Sequence, residues 1–147
     1  MLGPEHPDTA YSLCDLGWHY RLQRRYQEGE LFYQHALAIR VKVWGPEHPI
    51  IADTLVDLGL LYDDQRKYQE AEPIFHQAMT ICEQGIDLRK DTEVILLSNY
   101  VLHLLRRRRI MKALPYGVRV LKILGLRKSF RRSLGFLNSY VPKFGPN

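Results

Sequence analysis

Apolar residues in this chain recur at spacings of three and four, the spacing that places side chains on one face of an α-helix. Two stretches share the pattern: Leu13, Leu16 and Tyr20 in the first, and Leu55, Leu58 and Tyr62 in the second. A short polar link and a second set of apolar positions follow each stretch. The pattern predicts an all-α fold built from pairs of helices.

The helix pairs repeat at an interval of 42 residues. The sequence Gly-Pro-Glu-His-Pro occupies Gly3–Pro7 and returns at Gly45–Pro49. A weaker third copy of the repeat, without this pentapeptide, follows one interval later and includes Leu97, Leu104 and Ala113. A fixed period of this size is typical of stacked two-helix units. We therefore expect residues 1–126 to hold three helix-turn-helix repeats, at about 7–43, 49–85 and 91–125.

Small and large residues occupy matching positions in the repeats. Gly17 in the first helix and Ala36 in the second are small, whereas Tyr20 and Tyr33 are large, and the next copy repeats this arrangement of small and large residues. A glycine lets two helix backbones approach closely, and the aromatic ring fills the neighbouring space. In the third copy Val101 replaces the glycine and Gly117 replaces the aromatic residue. We expect its two helices to form but to pack loosely.

Beyond the repeats, the apolar residues Leu126, Phe130, Leu134, Leu137 and Val141 recur at helical spacing among basic residues. This spacing predicts a basic amphipathic helix that caps the array, followed by a tail, over residues 127–147.

The repeated motif resembles the tetratricopeptide repeat, in particular the longer repeats of kinesin light chains. The residues that carry the resemblance are Leu55-x-x-Leu58-Gly59-x-x-Tyr62, their counterparts 42 residues earlier, and the linker Trp44–Pro49. The resemblance covers roughly residues 3–123. It implies a right-handed superhelical array, an α-solenoid, whose first helices line a concave groove that binds a peptide segment of a partner protein.

Charge is distributed unevenly along the chain. The net charge is +5, but residues 1–90 carry a net −5 and residues 91–147 a net +10, so the two ends are expected to meet different partners. Two cysteines in 147 residues do not support a disulfide framework, so we expect a reducing, cytoplasmic setting. We expect no secretory signal and no membrane span, because no apolar run is long enough.

Catalytic motifs are missing from the sequence. It contains no phosphate-binding loop, no His-Glu-x-x-His and no Cys-x-x-Cys, and its six histidines show no metal-binding spacing. We therefore expect a non-catalytic protein without a cofactor or a metal.

The resemblance places the groove on the first helix of each repeat, at Tyr11, Asp15, Trp18, Asp53, Asp57, Leu60, Asp64, Asn99 and Leu102. It implies that Asn99 binds the backbone of an extended peptide. These residues give an aromatic anchor, an apolar floor and an acidic middle that also includes Asp63. A partner with an apolar side chain beside Lys or Arg would complement them. The alternative is that the aspartates form an ordinary solvated face.

A second candidate surface is basic. It consists of Arg106, Arg107, Arg108 and Arg109 at the turn of the third repeat, with Arg127, Lys128, Arg131 and Arg132 beyond it. Such a surface could bind nucleic acid, anionic lipid or an acidic protein. Two alternatives remain: a solubilising turn, or head-to-tail self-association in which the basic end of one molecule meets the acidic groove of another.

Overall fold

The computed structural model describes residues 6–84 and 90–125. All the regular secondary structure in these ranges is helical, as six α-helices: α1 (Pro7–Leu22), α2 (Tyr26–Trp44), α3 (Pro49–Asp64), α4 (Tyr68–Gln84), α5 (Lys90–Arg106) and α6 (Ile110–Ile123). Helices α1 and α2, α3 and α4, and α5 and α6 form three pairs, and α2–α3 and α4–α5 contacts join successive pairs. The predicted all-α helical repeat fold is confirmed.

The repeated pentapeptide starts the first helix of a repeat. His48 precedes α3, and its Nδ1 atom accepts a hydrogen bond from the backbone N–H of Ile50 at 3.2 Å. Pro49 follows at the first helical position, where its missing N–H costs little. His6 and Pro7 start α1 in the same way. The histidines of the pentapeptide therefore act as helix caps.

The turn inside each repeat has the same backbone geometry three times. Arg24, Arg66 and Arg108 have positive φ angles of 61°, 60° and 56°. In the first turn, the N–H of Arg25 donates to the carbonyl of Tyr20 at 2.9 Å, and the other two turns repeat this bond. This pattern is the Schellman motif, whose left-handed residue is most often glycine. Arginine at this position costs about 1 kcal/mol.

Helix pairs are held close by the glycine–aromatic contacts that the sequence predicts. A Cβ atom added to Gly17 would lie 2.9 Å from the ring of Tyr33, and one added to Gly59 would lie 3.0 Å from the ring of Phe75. Both rings are fully buried. Either glycine can be enlarged only if the partner helix moves away.

The third repeat lacks this contact. A Cβ atom on Gly117 would meet no atom of the described residues within 4 Å. A groove of about 410 Å³, open to solvent, runs along α5 and α6 and is lined by Ser98, Val101, Leu105, Ile110, Ala113, Leu114, Gly117, Val118, Val120 and Leu121. The predicted loose packing of this repeat is therefore present in the structure.

Leu16, which the spacing placed on one helical face with Leu13 and Tyr20, is not buried as its counterpart in the second repeat is. It is 42% exposed, whereas its counterpart Leu58 is 7% exposed. Leu58 belongs to a buried cluster with Tyr33 of the preceding repeat, and no described helix covers the corresponding side of α1. The predicted capping helix and tail, residues 127–147, lie outside the described residues.

Replacing Gly59 by alanine and replacing Gly117 by alanine should change the stability of the protein in opposite directions. Gly59→Ala should lower the free energy of unfolding by about 1–3 kcal/mol, because the new methyl group overlaps the ring of Phe75. Gly117→Ala should raise it by up to about 1 kcal/mol, because alanine favours the helix and meets open space. Urea unfolding of both variants measures the difference, and equal destabilisation would contradict the packing described for the third repeat.

Candidate functional site

A pocket of about 250 Å³ lies where α3, α4 and α5 meet. Its lining consists of Ala52, Asp53, Val56, Asp57, Cys82, Ile95, Leu96 and Asn99. It brings together three residues that the sequence assigned to the groove: Asp53 and Asp57, one helical turn apart on α3, and Asn99 on α5. Apolar side chains surround the three polar groups.

The two carboxyl groups of this pocket are partly desolvated. Burial raises the pKa of Asp57 to about 6, and the negative charge of Asp53 adds to the rise, whereas Arg21 and Arg40 oppose it. Asp53 is exposed overall, yet partial desolvation of its carboxyl raises its pKa as well, and Arg40 opposes that rise. Neither carboxyl has a hydrogen bond or ion pair with another described residue.

Arg40 is a buried cation that the sequence analysis did not identify. It is 4% exposed and donates hydrogen bonds to the hydroxyl of Thr54 at 2.6 Å and to the carbonyl of Ile50 at 3.3 Å. Its guanidinium lies 4.8 Å from the centre of the Tyr11 ring. The repeat contains a signal for its burial, because its counterpart 42 residues later is the core residue Cys82.

The other two aspartates of the predicted acidic middle are already engaged. Asp64 accepts a hydrogen bond from Arg21 Nε at 2.6 Å and a weaker one from Arg106 at 3.3 Å. Asp63 is fully buried, with its Oδ1 atom 2.6 Å from Nδ1 of the buried His103. The prediction that Asp63 lies in the groove is wrong, because its side chain is fully buried against His103 and does not line the pocket.

The remaining predicted groove residues lie outside this pocket. Tyr11 is half exposed, Asp15 is exposed, and Trp18 is 46% exposed with its ring 5.0 Å from that of His19. Leu60 on α3 is half-buried and packs against the main core. Leu102 on α5 is exposed. Trp18 and Leu102 are thus accessible apolar side chains on first helices.

Three arginines of the basic run bind acids of the preceding repeat. Arg107 and Arg109 both donate to the carboxylate of Glu72, Arg109 at 2.8 Å. Partial burial raises the pKa of Glu72, but the hydrogen bond and charge of Arg107, together with Arg109, hold it below its usual value. Arg106 pairs with Asp64. These contacts join the third repeat to the second.

Arg108 is exposed, and its side chain has no partner among the described residues. The other basic residues of this predicted surface, Arg127, Lys128, Arg131 and Arg132, lie outside the described residues. Within residues 6–84 and 90–125, no helix is long and apolar enough to span a membrane. The same ranges hold no group of three or more His, Cys, Asp or Glu side chains that could bind a metal.

Asp57 should make stability depend on pH. Its pKa is higher in the folded protein than in the unfolded chain, so the folded state binds more protons between about pH 4 and 6 and the free energy of unfolding falls as pH rises through this window. Asp57→Asn should remove this loss and stabilise the protein at pH 7 by roughly 1–2 kcal/mol. Urea unfolding of the wild-type protein and the variant from pH 4 to 7 measures this difference in the free energy of unfolding. An advantage of the variant that persists unchanged at pH 4 would contradict the shifted pKa.

Solved structures show the same fold. BtubC (BKLC) from P. vanneervenii superposes with a TM-score of 0.72 at 18% sequence identity, over 98% of this chain and 52% of that one. A kinesin light chain-like protein of Podosopora anserina with nearly identical TPR-like repeats gives 0.71 at 20% identity, over 87% of this chain and 60% of that one. This chain therefore spans about half to three fifths of those proteins. A second structure of the Podosopora protein gives 0.69.

The search of curated proteins found no match. The family model of the tetratricopeptide repeat matches residues 2–42 and 20–84, which together cover more than half of the sequence. Repeats of this family generally serve as scaffolds for protein–protein interaction. With its three helix pairs at a 42-residue interval, the chain belongs to the tetratricopeptide repeat family.

Proposed function

We propose that this protein is a non-catalytic scaffold that binds an extended peptide segment of a partner protein along the first helices of its repeats. In this proposal a Lys or Arg side chain of the peptide enters the pocket at Asp53 and Asp57. An apolar side chain beside it contacts the exposed apolar residues of the first helices.

The main support for the proposal is that the two carboxyl groups in the pocket are partly desolvated and are not paired with a described residue. Asp63 and Asp64 have hydrogen-bonded partners, whereas Asp53 and Asp57 have no hydrogen bond or ion pair among the described residues and feel Arg21 and Arg40 only at longer range. A desolvated carboxylate without a partner is costly, and a cation brought by a ligand removes that cost. A basic side chain of the partner therefore gains more here than at a solvated aspartate.

The surroundings of the two acids suit a peptide. Asn99 lines the same pocket and has both a donor and an acceptor, which can pair with the N–H and C=O of an extended backbone. Trp18 and Leu102 lie on the first helices on either side of α3 and remain accessible. An aromatic anchor near a charged pocket is a common arrangement at protein interfaces.

The basic-surface alternative has less support. Three of the four arginines at the turn of the third repeat are bound to Glu72 and Asp64. A partner that bound them would have to replace those ion pairs. The paired arginines therefore favour the groove as the main binding surface.

A peptide-library selection on the protein tests the groove directly. We expect enrichment of peptides with an aromatic or aliphatic residue next to Lys or Arg. The variant Asp53→Asn/Asp57→Asn should lose this enrichment, with the affinity for a selected peptide falling by about tenfold or more.

A matched control is Asp8→Asn/Glu47→Gln, which makes the same charge change at two exposed residues outside the pocket. It should bind like the wild-type protein. Because Asp57→Asn is expected to stabilise the fold, lost binding would not reflect unfolding. Failure to select peptides that contain Lys or Arg, or equal losses of basic-peptide binding in both variants, would contradict the proposal.

A further inference from the structure

One exposed arginine marks the turn of every repeat. Arg24, Arg66 and Arg108 are 42 residues apart, share the left-handed backbone conformation and are exposed. None of the three side chains has a hydrogen bond or ion pair within the described parts of the chain. We call this set the arginine row.

The basic residue that follows each of these arginines does contact another side chain. Arg25 binds Glu28 at 2.7 Å and lies over the ring of Tyr20. Lys67 lies 5.8 Å from the centre of the Tyr62 ring. Arg109 binds Glu72. In every turn, one cation has a partner in the fold and the cation of the arginine row is left free.

The turns adjoin one another along one edge of the array. A cavity of about 410 Å³ between the first two turns is lined by Arg21, Leu22, Arg24, Tyr26, Asp64 and Arg66. A second cavity of about 370 Å³ is lined by Arg66, Lys67, Tyr68, Gln69, Glu70 and Arg107. Arg66 belongs to both cavities, so the two form one polar surface that continues from the first turn to the third.

Folding does not require arginine at these positions. The left-handed conformation favours glycine or asparagine, so each arginine is held at a conformational cost. A cation near the C-terminal end of a helix interacts favourably with the helix dipole, but α1 and α5 already carry Arg21 and Arg106 in their last turns. A strained residue that recurs in every repeat with a free charge indicates a role in binding.

We propose that the arginine row binds an extended acidic segment of a protein partner, on a surface separate from the peptide groove. Guanidinium groups pair with carboxylates through two parallel hydrogen bonds. The row offers isolated cations, one per repeat, which match acidic side chains spaced along a polypeptide. Glu70, which is exposed on the same surface, disfavours the dense, continuous charge of a nucleic acid more than carboxylates that are spaced along a peptide and can avoid it.

The test measures how tightly the full chain binds two fluorescent probes of equal negative charge. One is a fluorescein-labelled peptide of roughly 15 residues with alternating Glu and Ser, about 50 Å long when extended. The other is a single-stranded oligothymidylate. Fluorescence anisotropy measures both affinities. We expect the peptide to bind more tightly than the oligonucleotide. Arg24→Gly/Arg66→Gly should weaken peptide binding by about tenfold.

The control variant Lys112→Gln/Lys122→Gln removes two exposed positive charges of α6 and should leave binding within about twofold. Glycine suits the left-handed turn, so the arginine variant should melt at the wild-type temperature or above it. Arg24→Asn/Arg66→Asn serves as a second neutral pair if the glycine variant folds poorly.

Three results would overturn the proposal: tighter binding of the oligonucleotide, equal losses in the arginine and lysine variants, or peptide binding that the arginine variants do not change. If the arginine variants melted at a lower temperature but bound the peptide unchanged, the role of the arginines would be to stabilise the helix dipole. The Asp53→Asn/Asp57→Asn variant should bind the acidic peptide normally, so this result is independent of the groove.

Discussion

The close approach of Gly59 to the ring of Phe75 fixes how the rest of the molecule is arranged. It sets the separation of α3 and α4 and lets α3 sit at the centre of the array, in contact with α1, α2, α4 and α5. Nine of the sixteen residues of α3 are buried as a result. A polar residue on such a helix either pairs with another residue of the protein or faces a pocket. Asp63 and Asp64 are of the first kind, and Asp53 and Asp57 are of the second.

This division connects the packing to the proposed function. Asp63 meets His103 in the interior, and Asp64 meets Arg21 and Arg106, so both acids help to join neighbouring repeats. Asp53 and Asp57 lie on the same helix but line the pocket, where the described residues offer them no hydrogen bond or ion pair. The charges that hold the array together are thus distinct from those left for a ligand. The arginines divide in the same way, since Arg107 and Arg109 share Glu72 whereas Arg108 has no partner among the described residues.

The repeat period made much of the fold predictable. Matching residues at 42-residue intervals gave the helix pairs, the glycine–aromatic contacts and the loose third repeat around Gly117. Contacts between polar residues far apart in sequence could not be derived in this way. Glu72 and Arg107 are 35 residues apart, and nothing in the period indicates that they meet. The burial of Asp63 was missed for the same reason, because its partner His103 lies on another repeat. From the sequence alone, an aspartate on a first helix was expected to be a groove residue.

An NMR titration of the isotope-labelled protein with a selected basic peptide tests most directly whether the pocket between α3 and α5 is the binding site. The proposal predicts that the largest amide shift changes fall at Asp53, Asp57 and Asn99, with changes at Trp18 and Leu102. The turn residues Arg24 and Arg66 should change little. Shift changes confined to the turns or to α6, with the amides of the pocket unmoved, would contradict it.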